Sequence, residues 1–293
     1  MMIKYSIKDL EQLSGIKAHT LRIWEQRYNI LNPQRTVTNI RYYTDNDLKS
    51  ILNIALLNQH GYKISKIAQM GIKEKNDLIK DLVKKPENTS SQINTLTVAM
   101  LDLDEIGFEE NLNKAIQSIG IEQTMLKVLI PFMQKIGVLW QIGSINPAQE
   151  HFISNLVTQK VYSAIDKLGP FYADPNKKTF LLWLAEGEYH ELTLLFGNYL
   201  LKSRGYKVIY LGANLPFEDL KVITEQHKPD VMFTSFTTSN LPYDISKYIE
   251  ELVKISNKSE IYVSGSQVVD VENDLPKEVR IIPSLDNFIS IIS

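Results

Sequence analysis

The stretch that decides the fold of the C-terminal third of the chain is TFLLWLAEGEYHELTLLFGNYLLKSRG, residues 179–205. It opens on a nearly unbroken apolar run, TFLLWLA, which is typical of a buried strand. The polar segment EGEYHE follows, and apolar residues then recur at helical spacing until Gly205 ends the run. The stretch therefore predicts one strand–loop–helix unit, the repeating element of parallel α/β domains.

The same alternation repeats to the end of the sequence. Further strand-like runs are KVIYLGA, DVMFTSFT, EIYVSGS and RIIPS, and the helical runs among them are PFEDLKVITEQH, LPYDISKYIEELVKIS and LDNFISII. Strands that alternate with helices predict an open parallel sheet, Rossmann-like or flavodoxin-like, over residues 177–293. Ligands of such sheets bind beyond the carboxyl ends of the strands, so the residues at those ends are candidate ligand contacts.

Polar and small residues occupy three of these strand ends. They are Glu188 and His190 after the first strand, Ser235 and Thr237 after the third, and Gly265 and Ser266 after the fourth. No Gly-x-Gly-x-x-Gly follows the first strand, which argues against a dinucleotide ligand. His190 can instead offer a neutral imidazole to a metal in a bound macrocycle, with Glu188 to orient the ring. The alternative is that His190 is an ordinary loop histidine.

Composition and charge limit the class of protein that this chain can belong to. The chain has 293 residues and no cysteine, which excludes disulfides and thiolate metal sites and fits a cytoplasmic location. No apolar run reaches the roughly 18 residues of a membrane span, so we expect no membrane contact. Residues 1–75 hold 12 Lys or Arg against 6 Asp or Glu, whereas residues 76–293 hold 20 against 28. A basic N-terminal segment on an acidic body indicates a polyanionic partner at one end.

The N-terminal segment predicts a helix-turn-helix. Ser6 can cap a first helix in which Leu10 and Leu13 recur at helical spacing, and Gly15 ends it. A second helical run, AHTLRIWEQRYNI, follows at residues 18–30 and would be the recognition helix.

The next segment, NPQRTVTNIRYYTDNDL, predicts a small β-hairpin, or wing, before a further helix. The run TLRIWEQRY, then Pro-x-Arg, then IRYYTDNDL resembles the DNA-binding domain of MerR-type transcriptional regulators. This resemblance covers about residues 3–72. It implies a winged helix-turn-helix domain at residues 1–75 that binds a double-stranded, pseudo-palindromic operator as a homo-oligomer.

The recognition helix and wing carry the residue types that contact phosphates and base edges. We expect the DNA contacts to come from His19, Thr20, Arg22, Arg27, Arg35, Arg41, Tyr42 and Tyr43. The alternative is that these side chains only solvate the surface of a small helical domain.

A polar stretch, KKPENTSSQ, follows at residues 84–92, and we predict a linker over residues 76–92. Beyond it come four helical segments, each with apolar residues at i, i+3, i+4 and i+7. Residues 93–170 are therefore predicted to form a four-helix bundle.

The α/β part resembles cobalamin-binding domains. Their signature is an acidic residue, any residue, His, two more residues and Gly, with a Ser-containing strand end and a Gly-Gly pair near the fourth strand. Glu188-x-His190 matches the first element, and the resemblance makes His190 the lower axial ligand of cobalt. Thr193 stands where that family has Gly, and Gly265-Ser266 stands where it has Gly-Gly. The two extra side chains narrow the space for the cofactor's nucleotide tail.

The segment VLWQIGSINPAQEHF lies between the third and fourth predicted helices of the bundle. In it, nine residues separate Trp140 from Glu150-His151, and with this spacing the whole chain resembles the CarH/LitR-type photoreceptor repressors. In that family the Trp and the Glu-His pair cap the upper face of adenosylcobalamin. Gln141 departs from the pattern, because some light-sensing members have a His there that can bind cobalt after photolysis. The expected cofactor contacts are Trp140, Glu150, His151, Glu188, His190, Thr193, Ser235, Thr237, Gly265 and Ser266.

The resemblance implies a repressor and not an enzyme. In the dark, adenosylcobalamin would bridge the bundle and the sheet domain, and the chain would assemble into a dimer or tetramer. This assembly would occupy the operator. Light would cleave the cobalt–carbon bond and release the DNA.

Two alternatives stay open. A regulator that no longer needs cobalamin is favoured by Thr193, Ser266 and Gln141, and a corrinoid methyl-transfer enzyme is disfavoured by the DNA-binding domain.

Overall fold

The computed structural model describes residues 4–83, 89–141, 145–169, 173–239, 241–269 and 275–293. The chain separates into two compact units, Met1–Val157 and Thr158–Ser293. No helix within the described ranges is both long and apolar enough to span a lipid bilayer.

The first unit begins with the predicted helix-turn-helix. Helix α1 (Ile7–Ser14) and helix α2 (Ala18–Tyr28) are joined by a turn in which Gly15 has a φ of 74°. Ser6 and Asp9 form a capping box at the start of α1, which satisfies two backbone amides that the helix itself leaves without partners. The predicted boundary at Gly15 is confirmed, because a left-handed backbone conformation ends a helix and glycine adopts it without strain.

A short hairpin follows and forms the predicted wing. Strand β1 (Gln34–Arg35) pairs antiparallel with strand β2 (Arg41–Tyr42). Two backbone hydrogen bonds between Tyr5 and Tyr43, with N···O distances of 2.9 and 2.8 Å, tie the hairpin to the N-terminal segment. The domain is completed by helices α3 (Asp45–Gln59) and α4 (Ile64–Gln69).

The stretch predicted as a linker is helical at both ends. Helix α5 (Ile72–Val83) covers its first half, and helix α6 (Thr89–Asp102) begins within its second half. Helix α5 packs against α3 and α6. Leu78 and Ile79 are half-buried on α5 and give it an apolar side. Residues 84–88 lie outside the described residues.

Four helices make up the region predicted as a bundle. After α6 come α7 (Glu105–Thr124), a π-helical segment (Met125–Leu129), α8 (Ile130–Gln141) and α9 (Pro147–Asp166). Gly120 has non-helical backbone angles, φ 77° and ψ 162°, and interrupts α7 at the glycine where the sequence predicts a helix end. The π-helical segment joins the second part of α7 directly to α8.

Helix α8 also contacts the helix-turn-helix. The Lys135 ammonium donates a hydrogen bond to the backbone carbonyl of Leu13, in the last turn of α1. Burial lowers the pKa of Lys135 to about 8. Nearby, α3 packs against α6, and Lys49 forms an ion pair with Asp102. Side-chain contacts therefore join the DNA-binding helices to the helical region within one unit.

We expect Lys135 to make the first unit more stable at alkaline pH than at neutral pH. Its pKa is about 8 in the folded chain and about 10.5 when unfolded, so between these values the unfolded state binds more protons. The free energy of unfolding should therefore rise as the pH rises through this window, by up to about 3 kcal/mol. Urea unfolding of the wild type and of Lys135→Met, at about pH 7 and about pH 10, measures the effect. Parallel pH dependences of the two proteins would contradict it.

The second unit is built on five strands, β3 (Thr179–Ala185), β4 (Lys207–Leu215), β5 (Val231–Ser235), β6 (Glu260–Ser264) and β7 (Val279–Ile281). All neighbouring strands are parallel, and their order in the sheet is β4-β3-β5-β6-β7. This is the doubly wound order of flavodoxin-like folds. The order reverses between β3 and β5, so the residues that follow these two strands lie at the position where such sheets bind ligands.

Helices cover both faces of this sheet, namely α10 (Leu192–Ser203), α11 (Phe217–His227), α12 (Ile245–Ile255), α13 (Ser266–Val269) and α14 (Leu285–Ile292). On one face, the indole N–H of Trp183 donates to the hydroxyl of Tyr248 on α12, at 3.1 Å. On the other face, Phe288 of α14 packs against Phe180 and Phe233, with ring centroids 6.5 and 4.9 Å apart. Burial on both faces explains why β3 is apolar without alternation.

Candidate functional site

The recognition helix α2 presents one exposed polar stripe. Leu21 is fully buried and faces the core of the domain. The exposed polar side chains of α2 include His19, Arg22, Gln26 and Arg27. Spacings of three and four residues place His19, Arg22 and Gln26 on one side of the helix, and Arg27, two turns after His19, lies beside them.

The basic residues of the wing are held by hydrogen bonds and an ion pair. Arg35 donates to the side-chain oxygen of Asn39 across the hairpin at 2.7 Å, and Arg41 lies 3.6 Å from the carboxylate of Glu25. Glu25 belongs to α2 and also accepts a hydrogen bond from the hydroxyl of Tyr43, at 2.9 Å. This carboxylate therefore fixes the wing relative to the recognition helix.

Basic side chains from three elements converge on one concave surface. A cavity of about 320 Å³ is bounded by the start of α1, by α2 and by the wing, and its basic lining residues are Lys8, Arg22, Arg35 and Arg41. Converging cations of this kind suit a DNA phosphate group. The three arginines are among the DNA contacts predicted from the sequence, and Lys8 is not. Only the packing of α1 against the wing brings that lysine to the same surface.

Among the residues predicted to contact DNA, Tyr43 is buried, whereas Thr20 and Tyr42 are half-buried. Tyr43 is fully buried, and burial, followed by its hydrogen bond to Glu25, raises the pKa of its hydroxyl. Tyr43 also borders the basic cavity, so its contact with DNA stays a prediction, and its hydrogen bond to Glu25 holds the wing against α2. Thr20 is half-buried, and Tyr42 is half-buried with its hydroxyl donating to Gln34 at 2.6 Å.

In the second unit, Glu188 organises the loop that follows β3. Its side chain is fully buried, and one carboxylate oxygen accepts the backbone amides of Tyr189 and His190 and the Nδ1–H of His190, the last at 2.6 Å. The other oxygen accepts the backbone amides of Thr237 and Thr238, at 2.6 and 2.7 Å. The carboxylate therefore ties the loop after β3 to the loop after β5.

These contacts set the charge of Glu188 and the orientation of His190. Burial raises the pKa of Glu188, but hydrogen bonds from the His190 ring and from three backbone amides outweigh it and hold the pKa at about 2. Glu188 is therefore an anion at neutral pH. The His190 side chain is 61% exposed and its Nδ1 is engaged by Glu188, so a metal bound to this ring would lie at Nε2. An imidazole oriented by a carboxylate is the usual arrangement of metal-ligating histidines.

Thr238 is the residue that the sequence analysis missed at this site. Its hydroxyl donates to Glu188 at 2.9 Å and lies 3.2 Å from the Nδ1 of His190. Thr237, the predicted residue, takes part through its backbone amide. The run TSFTTS offers two adjacent threonines at the strand end, and only the conformation of the loop decides which side chain reaches Glu188. Ser235 is buried at the end of β5.

The end of β6 carries a position that only glycine can occupy. Gly265 has a φ of 103°, and a Cβ atom there would lie 2.1 Å from the backbone oxygen of Phe236. The amide of Phe236 donates to the carbonyl of Ser264 at 2.8 Å, and the amide of Gln267 donates to the carbonyl of Phe236 at 3.1 Å. Gly265 therefore allows the loops after β5 and β6 to pack backbone against backbone.

Several of these features fit a bound corrinoid cofactor. The Ser264 hydroxyl is buried and has no hydrogen-bond partner among the described residues, which is what a missing ligand group leaves behind. Gly265 supplies the close backbone approach, and His190 supplies one nitrogen donor for a metal. Thr193 at the start of α10 and Ser266 at the start of α13 are both exposed, so the side chains that replace the family's glycines project from the surface of this edge.

Glu150 and His151 lie in the first turn of α9. Asn146 caps this helix, because its side chain accepts the amide of Ala148 at 2.9 Å while the Gln149 side chain accepts the amide of Asn146 at 3.2 Å. The His151 side chain is 76% exposed, and its Nδ1 lies 3.4 Å from the Glu150 carboxylate. The cap fixes the start of the helix and leaves the imidazole accessible.

Trp140 and Gln141 are the last two residues of α8. Their side chains, like the whole of residues 142–144, lie outside the part of the chain that the structure describes. The expectation that Trp140 contacts the cofactor and the expectation for Gln141 therefore stay predictions.

Two regions of the chain, the DNA-binding domain and the helical region after it, match models of known families. A model of the MerR HTH family regulatory proteins matches residues 5–70, and a model of the B12 binding domain matches residues 92–164. The HTH-type transcriptional repressor CarA of Myxococcus xanthus is 28% identical over 267 residues, which cover 88% of this chain and 85% of CarA. CarH of the same organism is 25% identical over 257 residues, which cover 85% of this chain and 84% of CarH.

A solved structure supports the fold of the remaining part. The monomethylamine corrinoid protein of Methanosarcina barkeri superposes with a TM-score of 0.55 at 14% identity, covering 70% of this chain and 98% of that protein. At so low an identity the likeness concerns the fold, in which a helical region precedes a parallel α/β domain.

The fold and the family matches define this chain as a transcription regulator of the MerR type that carries a B12-binding domain. It is a homologue of the transcriptional repressors CarA and CarH over most of its length. The predicted fold class and the predicted resemblance are thereby confirmed.

Proposed function

We propose that this regulator is a repressor whose homo-oligomeric state and operator binding are controlled by adenosylcobalamin and light. The observation that carries the proposal is the Glu188–His190 pair, an accessible imidazole bound through Nδ1 to a buried anion at the switch point of the sheet. The repressor relatives support the direction of regulation. The spacing from Trp140 to Glu150-His151 supports the adenosyl form of the cofactor.

The second unit would bind the lower side of the cofactor. When bound, adenosylcobalamin supplies a cobalt–carbon bond that light breaks. His190 would hold the cobalt through Nε2, while Glu188 keeps a proton on Nδ1 and makes the ring a better donor. Thr238 restrains the same carboxylate and ring, so the donor nitrogen is preorganised before the cofactor arrives.

Other residues would contact the rest of the cofactor. The Ser264 hydroxyl, which no described residue satisfies, and the backbone at Gly265 would face its nucleotide tail. Trp140, Glu150 and His151 would cover its upper face. These three side chains would lose contacts on illumination, and a difference in contacts between two states is what can shift an equilibrium between assemblies.

We expect His190→Ala to change the absorption spectrum of bound cobalamin and to weaken its binding by about tenfold or more. The full-length protein is loaded with adenosylcobalamin in darkness, and spectra are recorded before and after illumination and after dialysis. His227→Ala is the matched control, since His227 is an exposed histidine of the same unit at the C-terminal end of α11. A His190→Ala protein with the wild-type spectrum and affinity would rule out the proposed cobalt ligand.

The second candidate is that the chain is a regulator of the same architecture that needs no cobalamin and is controlled by a protein partner or another ligand. The side chains of Thr193 and Ser266, which stand where cobalamin-binding domains have glycine, favour it. If the wild type binds no cobalamin in darkness, this candidate replaces the first. Cobalamin binding by a Thr193→Gly, Ser266→Gly double variant would then identify the two side chains as the cause.

We expect Arg35→Ala and Arg41→Ala each to weaken operator binding and to reduce the slope of log affinity against log salt by about one unit. The reason is that both guanidiniums line the basic cavity between α1, α2 and the wing. Titrations of an operator duplex at several salt concentrations measure affinity and slope. Arg280→Ala, which removes an exposed arginine of the second unit, is the control and should match the wild type. Unchanged slopes in both wing variants would mean that this surface does not bind DNA.

A further inference from the structure

Before helix α5, whose first residue Ile72 is 80% exposed, the DNA-binding domain exposes large aliphatic side chains on the recognition helix and the wing. Within residues 4–70, all of which are described, the exposed large hydrophobic side chains are Ile23, Val37 and Ile40, at 46%, 107% and 64%. All three lie on the recognition helix or the wing, which are also the elements that carry the arginines. A single exposed aliphatic residue needs no explanation, but confinement of all three to the basic surface calls for one.

Ile23 lies in the centre of the exposed stripe of α2. His19 precedes it by one turn and Arg27 follows it by one turn. Arg22 and Gln26 flank it on the same side of the helix. Since Arg22 also lines the basic cavity, this stripe is the part of α2 that meets DNA. On binding, Ile23 is therefore enclosed between the helix and the base edges.

The chemistry of isoleucine limits what it can contact in the major groove. Its side chain neither donates nor accepts hydrogen bonds, so packing it over a polar base edge would strip water from that edge without replacing the lost bonds. The C5-methyl group of thymine is the apolar group that the major groove presents. A contact between two apolar groups gains free energy by burial and leaves no polar atom unpaired.

We propose that Ile23 reads the methyl group of a thymine in the operator. The proposal rests on the DNA-binding role of the domain and adds to it a base preference. The preference comes from apolar burial at one base pair, whereas Arg22 and Arg27 on the same stripe act through charge and hydrogen bonds.

The test removes the two partners of the contact separately. Operator duplexes are selected by the full-length wild type from a random pool, and each thymine of the site is then replaced singly by deoxyuridine, which lacks only the methyl group. We expect one such replacement, or its symmetry mate in the other half-site, to weaken wild-type binding about fourfold, the effect of one buried methyl group. Ile23→Ala should bind the thymine duplex more weakly and be indifferent to that replacement.

Two controls make the result specific. Val222→Ala removes an exposed aliphatic side chain, 49% exposed, from α11 and should keep the wild-type ratio between thymine and deoxyuridine duplexes. Arg35→Ala should weaken binding to both duplexes equally. If Ile23→Ala keeps the wild-type ratio at every thymine, or if no replacement weakens wild-type binding, Ile23 reads no methyl group. A wild type that selects no duplex at all would instead overturn the DNA-binding role itself.

Discussion

Gly265→Ala should destabilise the second unit by about 4 kcal/mol or more. The backbone at Gly265 has a φ of 103°, outside the range of ordinary side-chain-bearing residues, and the added Cβ would lie 2.1 Å from the carbonyl oxygen of Phe236. That oxygen already accepts the amide of Gln267, and the Phe236 amide donates to the carbonyl of Ser264. Neither loop can give way without breaking hydrogen bonds at the edge of the sheet where the cofactor is proposed to bind.

Gly197→Ala is the matched control in the same unit. Gly197 lies within helix α10, and the nearest atom to an added Cβ is 3.6 Å away, an ordinary contact distance. This variant should unfold within about 1 kcal/mol of the wild type, because alanine favours the helix that glycine weakens. Urea unfolding followed by circular dichroism measures both. Equal stability of the two variants would mean that the loops after β5 and β6 do not approach each other as closely as described.

Glu188→Gln should lower the free energy of unfolding of the second unit by about 3 kcal/mol or more and abolish the proposed cobalamin binding. The substitution keeps the size of the side chain but leaves one acceptor oxygen in place of two. One carboxylate oxygen accepts the amides of Thr237 and Thr238, and the other accepts the His190 ring among other donors. Whichever way the amide of glutamine turns, its NH₂ group therefore faces N–H donors in a site without access to water.

Glu186→Gln separates this effect from a general loss of charge. Glu186 lies two residues earlier and is exposed, so removing its charge should change the stability by no more than about 0.5 kcal/mol. Both variants are compared with the wild type by urea unfolding and by the spectrum of added adenosylcobalamin. If Glu188→Gln is as stable as Glu186→Gln and binds cobalamin equally well, Glu188 does not organise this loop.

The elements of the fold could be predicted because each depends on a local pattern. The run TFLLWLA predicts β3 since every side chain in it is apolar, and the structure buries that strand on both faces. The winged helix-turn-helix could be predicted from Ser6, Gly15 and the segment around the wing for the same reason. Helix α5 was harder to see, because six of its twelve residues are charged and they interrupt its apolar positions.

The candidate site could be predicted only where its residues are close in sequence. Glu188 and His190 are two residues apart and follow a recognisable strand, so their pairing was visible. Thr238 lies about fifty residues further along, and it reaches Glu188 only because β5 is the neighbour of β3 in the sheet. Tyr43 is the converse case, since an aromatic residue in a basic segment suggests DNA, and only the structure shows that it is buried and bonded to Glu25.

The sequence by itself determined which elements form, in what order, and which residues follow each strand, because helical and strand periodicity and the residues that end helices act over a few positions. Only the tertiary structure decided which of those residues meet. The contacts of Lys135 with Leu13 and of Gly265 with Phe236 join distant positions, and each depends on how whole elements pack. The physical reason is that a local pattern sets which face of an element is buried, whereas the partner on that face is chosen by the packing of the entire unit.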